Sequence, residues 1–103
     1  MYSFIETRLF SRLVSMHLPD EEYAKLQQTL IEDPAARNLI PGSGGVRKLR
    51  WKSSGRGKRG GVRFIYYARM KQGEIWMLTI YPKNVSDDIP AHILKKIKEE
   101  IDA

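Results

Sequence analysis

Lys48, Arg50 and Lys52 alternate with Arg47, Leu49 and Trp51. In an extended strand that period of two puts the three cations, with Val46, on one face and Arg47, Leu49 and Trp51 on the other. A second stretch, from Val62 to Arg69, sets Val62 and Phe64 against Arg63, Ile65 and Tyr67, and a third, from Ile75 to Tyr81, is followed by Lys83. Arginine can hold consecutive phosphates through bidentate contacts, and tyrosine or tryptophan can stack unpaired bases. Such an array also has groups for cleaving RNA. The 2′-hydroxyl attacks its own phosphate, giving a 2′,3′-cyclic phosphate and a 5′-hydroxyl. Arginine stabilises the charge that builds on phosphorus but cannot act as the base. Lysine can, if neighbouring cations lower its pKa. With only these groups, much of the rate must come from positioning the RNA.

Other chemistries find little support. His17 and His92 lie far apart and cysteine is absent, so neither a catalytic metal nor a disulfide is expected. The carboxylate pairs Glu21/Glu22, Asp87/Asp88 and Glu99/Glu100 read as surface clusters, the first two at helix starts. Pro41-Gly42-Ser43-Gly44-Gly45 lacks the Lys-Ser/Thr spacing of a P-loop and reads as a turn. No cofactor is called for.

Charge distribution reinforces the cationic reading. The formal charge is +6, and no Asp or Glu occurs between Asp33 and Glu74, a window holding Arg37, Arg47, Lys48, Arg50, Lys52, Arg56, Lys58, Arg59, Arg63, Arg69 and Lys71. One-sided charge of this kind favours a polyanionic partner. The 103 residues suit one domain, and 42% hydrophobic content one modest core. No apolar run approaches the length of a membrane span. No charged start with an apolar stretch and cleavage site is found, so a cytoplasmic protein with no membrane partner is expected.

The elements that must position these side chains follow from periodicity. Ser3 to Thr7 reads as a first strand. Leu9, Leu13 and Met16, with Phe10 and Val14 beside them, mark a helix, and Tyr23, Leu26 and Leu30, flanked by Ile31, a second one opened by Asp20-Glu21-Glu22 and closed by Pro34. Three strands follow: Val46 to Lys52, Val62 to Arg69, and Ile75 to Tyr81, which should be central because it is nearly all apolar. Ser53 to Gly61 is a long cationic connection, and Lys71-Gln72-Gly73 a hairpin turn. Pro90, Ile93, Ile97 and Ile101, with Leu94 alongside, mark a terminal amphipathic helix. The expected order is β-α-α-β-β-β-α: a single α+β domain over 1–103, with a mainly antiparallel twisted sheet and helices packed on one face.

Three segments carry a resemblance. Gly42-Ser43-Gly44-Gly45-Val46-Arg47-Lys48-Leu49-Arg50, Gly57-Lys58-Arg59-Gly60-Gly61-Val62-Arg63-Phe64-Ile65-Tyr66-Tyr67 and Leu78-Thr79-Ile80-Tyr81-Pro82-Lys83-Asn84 resemble the RelE/HigB-type toxins of type II toxin–antitoxin systems. The Gly-Lys-Arg-Gly-Gly followed by Arg and Ile-Tyr-Tyr resembles their HigB-like branch, and Asp20-Glu21-Glu22-Tyr23 extends the likeness to the second helix. The resemblance implies a RelE-like sheet-and-helix endoribonuclease that cuts mRNA in the ribosomal A site without a metal and so inhibits translation. It implies a cognate antitoxin, HigA-like with a helix-turn-helix domain, through which alone operator DNA is bound. Carried over by motif, Lys48, Arg50, Arg63 and Lys83 match the cations around the scissile phosphate. Arg47, Lys52, Arg56, Lys58, Arg59 and Tyr67 fall where mRNA and ribosomal RNA would be contacted. Better-known RelE members carry a catalytic tyrosine in the C-terminal segment, where this chain reads Asp87-Asp88-Ile89-Pro90-Ala91. Tyr81 or Tyr67 could assist, or a cation could serve, with Lys48 or Lys83 preferred for proton transfer. Two other readings stand beside this one: a ParE-like gyrase inhibitor on the same fold, and a non-catalytic RNA-binding module.

Overall fold

The structure, a computed structural model, describes residues 1–52, 61–82 and 89–103. Among these residues five strands and three helices follow one another as β1 (Ser3–Glu6), α1 (Arg8–His17), α2 (Asp20–Glu32), β2 (Asn38–Leu39), β3 (Arg47–Trp51), β4 (Val62–Arg69), β5 (Glu74–Pro82) and α3 (Ala91–Asp102), with a 3-10 turn at Met70–Gln72. The sheet order is β1-β5-β4-β3-β2, and among the described residues only the β1–β5 pairing is parallel. The class is therefore the expected one, α+β with a mainly antiparallel sheet. Interior β5 lies between β1 and β4, one place from the sheet's middle.

One face of the sheet carries Leu49, Val62, Phe64, Tyr66, Ile75, Met77 and Ile80 against Phe10 of α1 and Leu26 and Leu30 of α2. The opposite face carries Val46, Ile65 and Leu78 against Leu94, Ile97 and Ile101 of α3. Helices thus cover both faces, where the sequence suggested one. The reason lies in β4 and β5, where Phe64, Ile65 and Tyr66, and again Met77 and Leu78, are consecutive buried residues. Such a run needs cover on both sides. Two helix stripes also turn by one residue. Phe10 is buried while Leu9 and Met16 are exposed, and Leu94 is buried while Ile93 is exposed.

β5 holds one residue more than β4 in their pairing. Ile65 faces Thr79 and Tyr66 faces Met77, which leaves Leu78 as a bulge. The start of α1 accommodates it. Thr7 caps that helix by accepting from the Phe10 N–H at 3.0 Å, its hydroxyl donates to the Leu78 carbonyl at 2.8 Å, and its own N–H donates to the Met77 carbonyl at 3.1 Å. The bulge and the helix cap satisfy each other's backbone groups.

The turn into β3 is organised by Ser43, fully buried. Its hydroxyl lies 2.7 Å from the Ile40 carbonyl and accepts from the Val46 N–H at 3.0 Å. Gly42, Gly44 and Gly45 all have positive φ there, which explains the glycine cluster without any phosphate.

Candidate nucleic-acid interface

Directly opposed residues in an antiparallel ladder point to the same face. Arg50 of β3 pairs with Arg63 of β4, and Arg63 pairs with Tyr81 of β5. These three side chains form one row across three strands. In the neighbouring row Asn38 of β2 pairs with Lys48, and Lys48 with Ile65. Both rows face the α3 side, since Ile65 packs beneath that helix. Arg50 is exposed, and Lys48, Arg63 and Tyr81 are half-buried.

The bulge determines Tyr81's place. Strict alternation along β5 would set Tyr81 on the same face as Ile75 and Met77, under α1 and α2. The extra residue at Leu78 reverses the parity, so Tyr81 packs with the α3 side. Bulges beside functional sites re-aim side chains in this way.

Two concavities adjoin the rows. A small cleft of about 80 Å³ is lined by Ile40, Ile65, Ile89 and Leu94 together with Lys48 and Tyr81. A larger, open groove of about 200 Å³ is lined by Ala36, Arg37, Asn38, Lys48, Leu49 and Arg50. Lys48 borders both.

The remaining sequence-based candidates are dispersed. Arg47 points to the other face of the sheet, opposite Tyr66, and its guanidinium donates to the carbonyls of Ala35 at 2.9 Å and Arg37 at 2.6 Å. That is a structural tether. Tyr67 lies on the α3 face four residues along β4 from Arg63, roughly 13 Å at strand rise. Its hydroxyl lies 2.9–3.0 Å from the Asp102 carboxylate, and Lys98 sits 5.9 Å from the ring centroid. Burial and then the Asp102 carboxylate raise its pKa, so Tyr67 anchors the end of α3. Lys52 is exposed just beyond β3. Arg56, Lys58, Arg59 and Lys83 lie outside the described residues.

Residues the sequence reading passed over are Arg37 and Asn38. β2 has two residues, too few for any period to show, and the only signal was Arg37's place in the acid-free window. Among the described residues no three His, Asp or Glu side chains cluster to hold a metal, and no helix is long and apolar enough to cross a membrane.

Comparison with known proteins bears on the fold. No known protein-family profile matches the sequence. Among solved structures, a double arginine-to-alanine mutant of the E. coli toxin RelE in the free state superimposes with a TM-score of 0.63. The match covers 94% of this chain and 96% of that one at 15% identity. The fold is that of RelE. At this identity the likeness speaks for the arrangement of strands and helices, and the chemistry of the RelE-like sheet rests with its own side chains.

Proposed function

We propose that this chain is the toxin of a type II toxin–antitoxin pair, a HigB-like endoribonuclease that cuts mRNA in the ribosomal A site and halts translation. The observation that carries the proposal is the Arg50–Arg63–Tyr81 row beside Lys48 on one face of a RelE-like sheet. The two arginines hold the scissile phosphate and stabilise the charge that develops on it. Tyr81, paired across the ladder with Arg63, and Lys48, in the next row, are the groups we assign to moving protons at the 2′-oxygen and the leaving 5′-oxygen. Lys83, just past β5 in sequence, is a further candidate for the same task. No metal enters the scheme. The partly exposed setting of the row, open at Arg50 and half-buried at Arg63 and Tyr81, suits an enzyme whose substrate is oriented by another body, the ribosome.

Two kinds of partner follow. One is the ribosome with its mRNA, docked in part by Arg56, Lys58 and Arg59 of the cationic connection. The other is a cognate antitoxin, HigA-like with a helix-turn-helix domain, which carries the complex to operator DNA. The site of action is the cytoplasm.

A translation assay tests the scheme. Ribosomes programmed with a defined mRNA should yield cuts within the A-site codon, with 2′,3′-cyclic phosphate ends. Arg63→Ala should lower the rate by about 10²–10³-fold, the usual cost of one transition-state donor. Equal cleavage of naked RNA would overturn ribosome dependence. Loss of DNA gyrase supercoiling in place of mRNA cleavage would favour a ParE-like inhibitor.

A further inference from the structure

The groove between β2 and β3 exists because β2 stops early. Its first residue, Asn38, pairs with Lys48, so from Leu49 onward the outer edge of β3 has no β2 neighbour. There the chain peels away through Arg37 and Ala36. Arg47 and Tyr66 hold the peeled segment from the far side of the sheet, and a bond within the segment adds to them. Arg47 donates to the Ala35 and Arg37 carbonyls, the Tyr66 hydroxyl donates to the Pro34 carbonyl at 2.8 Å in a buried bond, and the Ala35 N–H donates to Asp33 at 3.3 Å. The result is an open groove of about 200 Å³ with a fixed outer wall.

Its lining is chemically one-sided. Arg37 and Asn38 stand on the outer wall, and Lys48 and Arg50 on the sheet side. Leu49, whose side chain is buried on the opposite face, meets the groove through its backbone. Among the described residues no carboxylate lines it. Three cations and an amide around an open trough suit a phosphodiester strand, with the cations on phosphate oxygens. The Asn38 amide can both donate to and accept from a 2′-hydroxyl or a base edge. Lys48 and Arg50 belong to the groove and to the catalytic rows at once, so a strand lying in the groove runs directly into the Arg50–Arg63–Tyr81 row.

The geometry points to a second RNA subsite: Arg37 and Asn38, with Lys48 and Arg50, bind the backbone of the single-stranded mRNA nucleotide next to the scissile one. This rests on the proposed RNA-cleaving reading and extends it to two residues outside the chemistry. Arg37 and Asn38 are positioning residues, and their removal should weaken capture without slowing the chemical step.

Two measurements on the full chain test it. In ribosome-programmed cleavage, Arg37→Ala should raise the toxin concentration for half-maximal rate about tenfold, one phosphate contact's worth, with the maximal rate within about twofold. Arg37→Lys should recover most of the loss, and Asn38→Ala should shift the same parameter. In binding to a short naked single-stranded RNA, Arg37→Ala should reduce the slope of log Kd against log salt by about 0.7, the loss of one phosphate contact. If wild type cleaves while Arg37→Ala and Arg37→Glu leave half-saturation and salt slope unchanged, the subsite is overturned. A fall in maximal rate alone would also overturn it, as would an equal dependence on Arg37 for duplex RNA. If wild type cuts no ribosome-bound mRNA, the cleavage reading fails, while the salt slope on naked RNA still decides whether the groove holds a strand.

Discussion

Tyr81 stands opposite Arg63 because β5 carries one extra residue, Leu78. Without that bulge the phenol would lie under α1 and α2, away from every cation of the site. The bulge is held from outside the strand by the Thr7 hydroxyl on the Leu78 carbonyl, so the start of α1 helps fix the aim of a side chain on the opposite face of the sheet.

The two tyrosines raised as catalytic candidates are now unequal. Tyr81 adjoins the arginine row, whereas the Tyr67 hydroxyl is bonded to Asp102 at the far end of α3. Tyr81→Phe should therefore cut the cleavage rate by about 10²-fold, the lower range for a general acid or base. Tyr67→Phe should mainly lower the thermal midpoint. Single-turnover cleavage beside a melting curve for each variant checks both. A Tyr67→Phe loss in rate that exceeds the Tyr81→Phe loss would refute the assignment.

Arg50 and Arg63 are also directly opposed, and like charges across a ladder destabilise a sheet. Arg50→Gln should raise stability by about 0.2–1 kcal/mol, the range of such pairs, while lowering cleavage. Stability against function is the expected exchange at a site arranged for a ligand. Urea unfolding with a shared m-value, run beside the cleavage assay, reads both quantities.

Much of this was legible in the sequence, and the failures have physical causes. Alternation puts Lys48 and Arg50 on one face of β3 and groups Arg63 with Ile65 and Tyr67 in β4, because a strand's period is rigid as long as its pairing is regular. Alternation does not carry the register that sets Arg63 opposite Arg50. It could not place Tyr81, because nothing in Ile75-Trp76-Met77-Leu78-Thr79-Ile80-Tyr81 marks which residue will bulge. That is decided by Thr7, 71 positions away in sequence from Leu78. The apolar run of β5 predicts a buried strand but not which element covers its second face, and α3 supplies that cover. Arg47 shared its strand with the candidate cations, but its partners are backbone carbonyls of a segment that composition alone does not bring near it.

The end of α3 is joined to the sheet by ionised groups, which predicts a loss of stability in acid. Asp102 meets Arg69 at 3.1 Å and Lys98 at 3.0 Å. Burial opposes its charge, but the bonds from Lys98 and Tyr67 outweigh that and hold its pKa below the ordinary value. Glu74 is likewise lowered, first by the Trp76 indole N–H and then by Arg69. Depressed folded-state values give stability that is complete above the unfolded carboxylate range, near pH 4, and is lost as pH falls through the folded values. Unfolding midpoints should thus drop between about pH 5 and pH 2, and Asp102→Asn should flatten part of that drop while costing stability at pH 7. Because these groups are solvent-accessible, added salt should shrink the difference. A variant with an unchanged acid profile would remove Asp102 from the account.

Gly61 offers the most sensitive test of how the hairpin is closed. It precedes β4 with φ +69°, and a Cβ there would run into the backbone carbonyl of Trp51. The positive φ alone costs a non-glycine residue about 1–3 kcal/mol, and the collision is with backbone that cannot rotate aside. Trp51 cannot move freely either, since its indole N–H donates to the buried carboxylate of Glu22 at 3.1 Å and its backbone pairs with Val62. Gly61→Ala should therefore destabilise the fold by at least about 2 kcal/mol. It should also disturb the Arg50–Arg63 pairing next to it, lowering cleavage at temperatures where the chain is still folded. Trp51→Phe should cost about 1–3 kcal/mol by removing a donor from a buried acid, yet leave that pairing in register. If Gly61→Ala matches wild type in unfolding and cleavage, the close approach of Gly61 to Trp51 is not what sets the register of the two cationic strands.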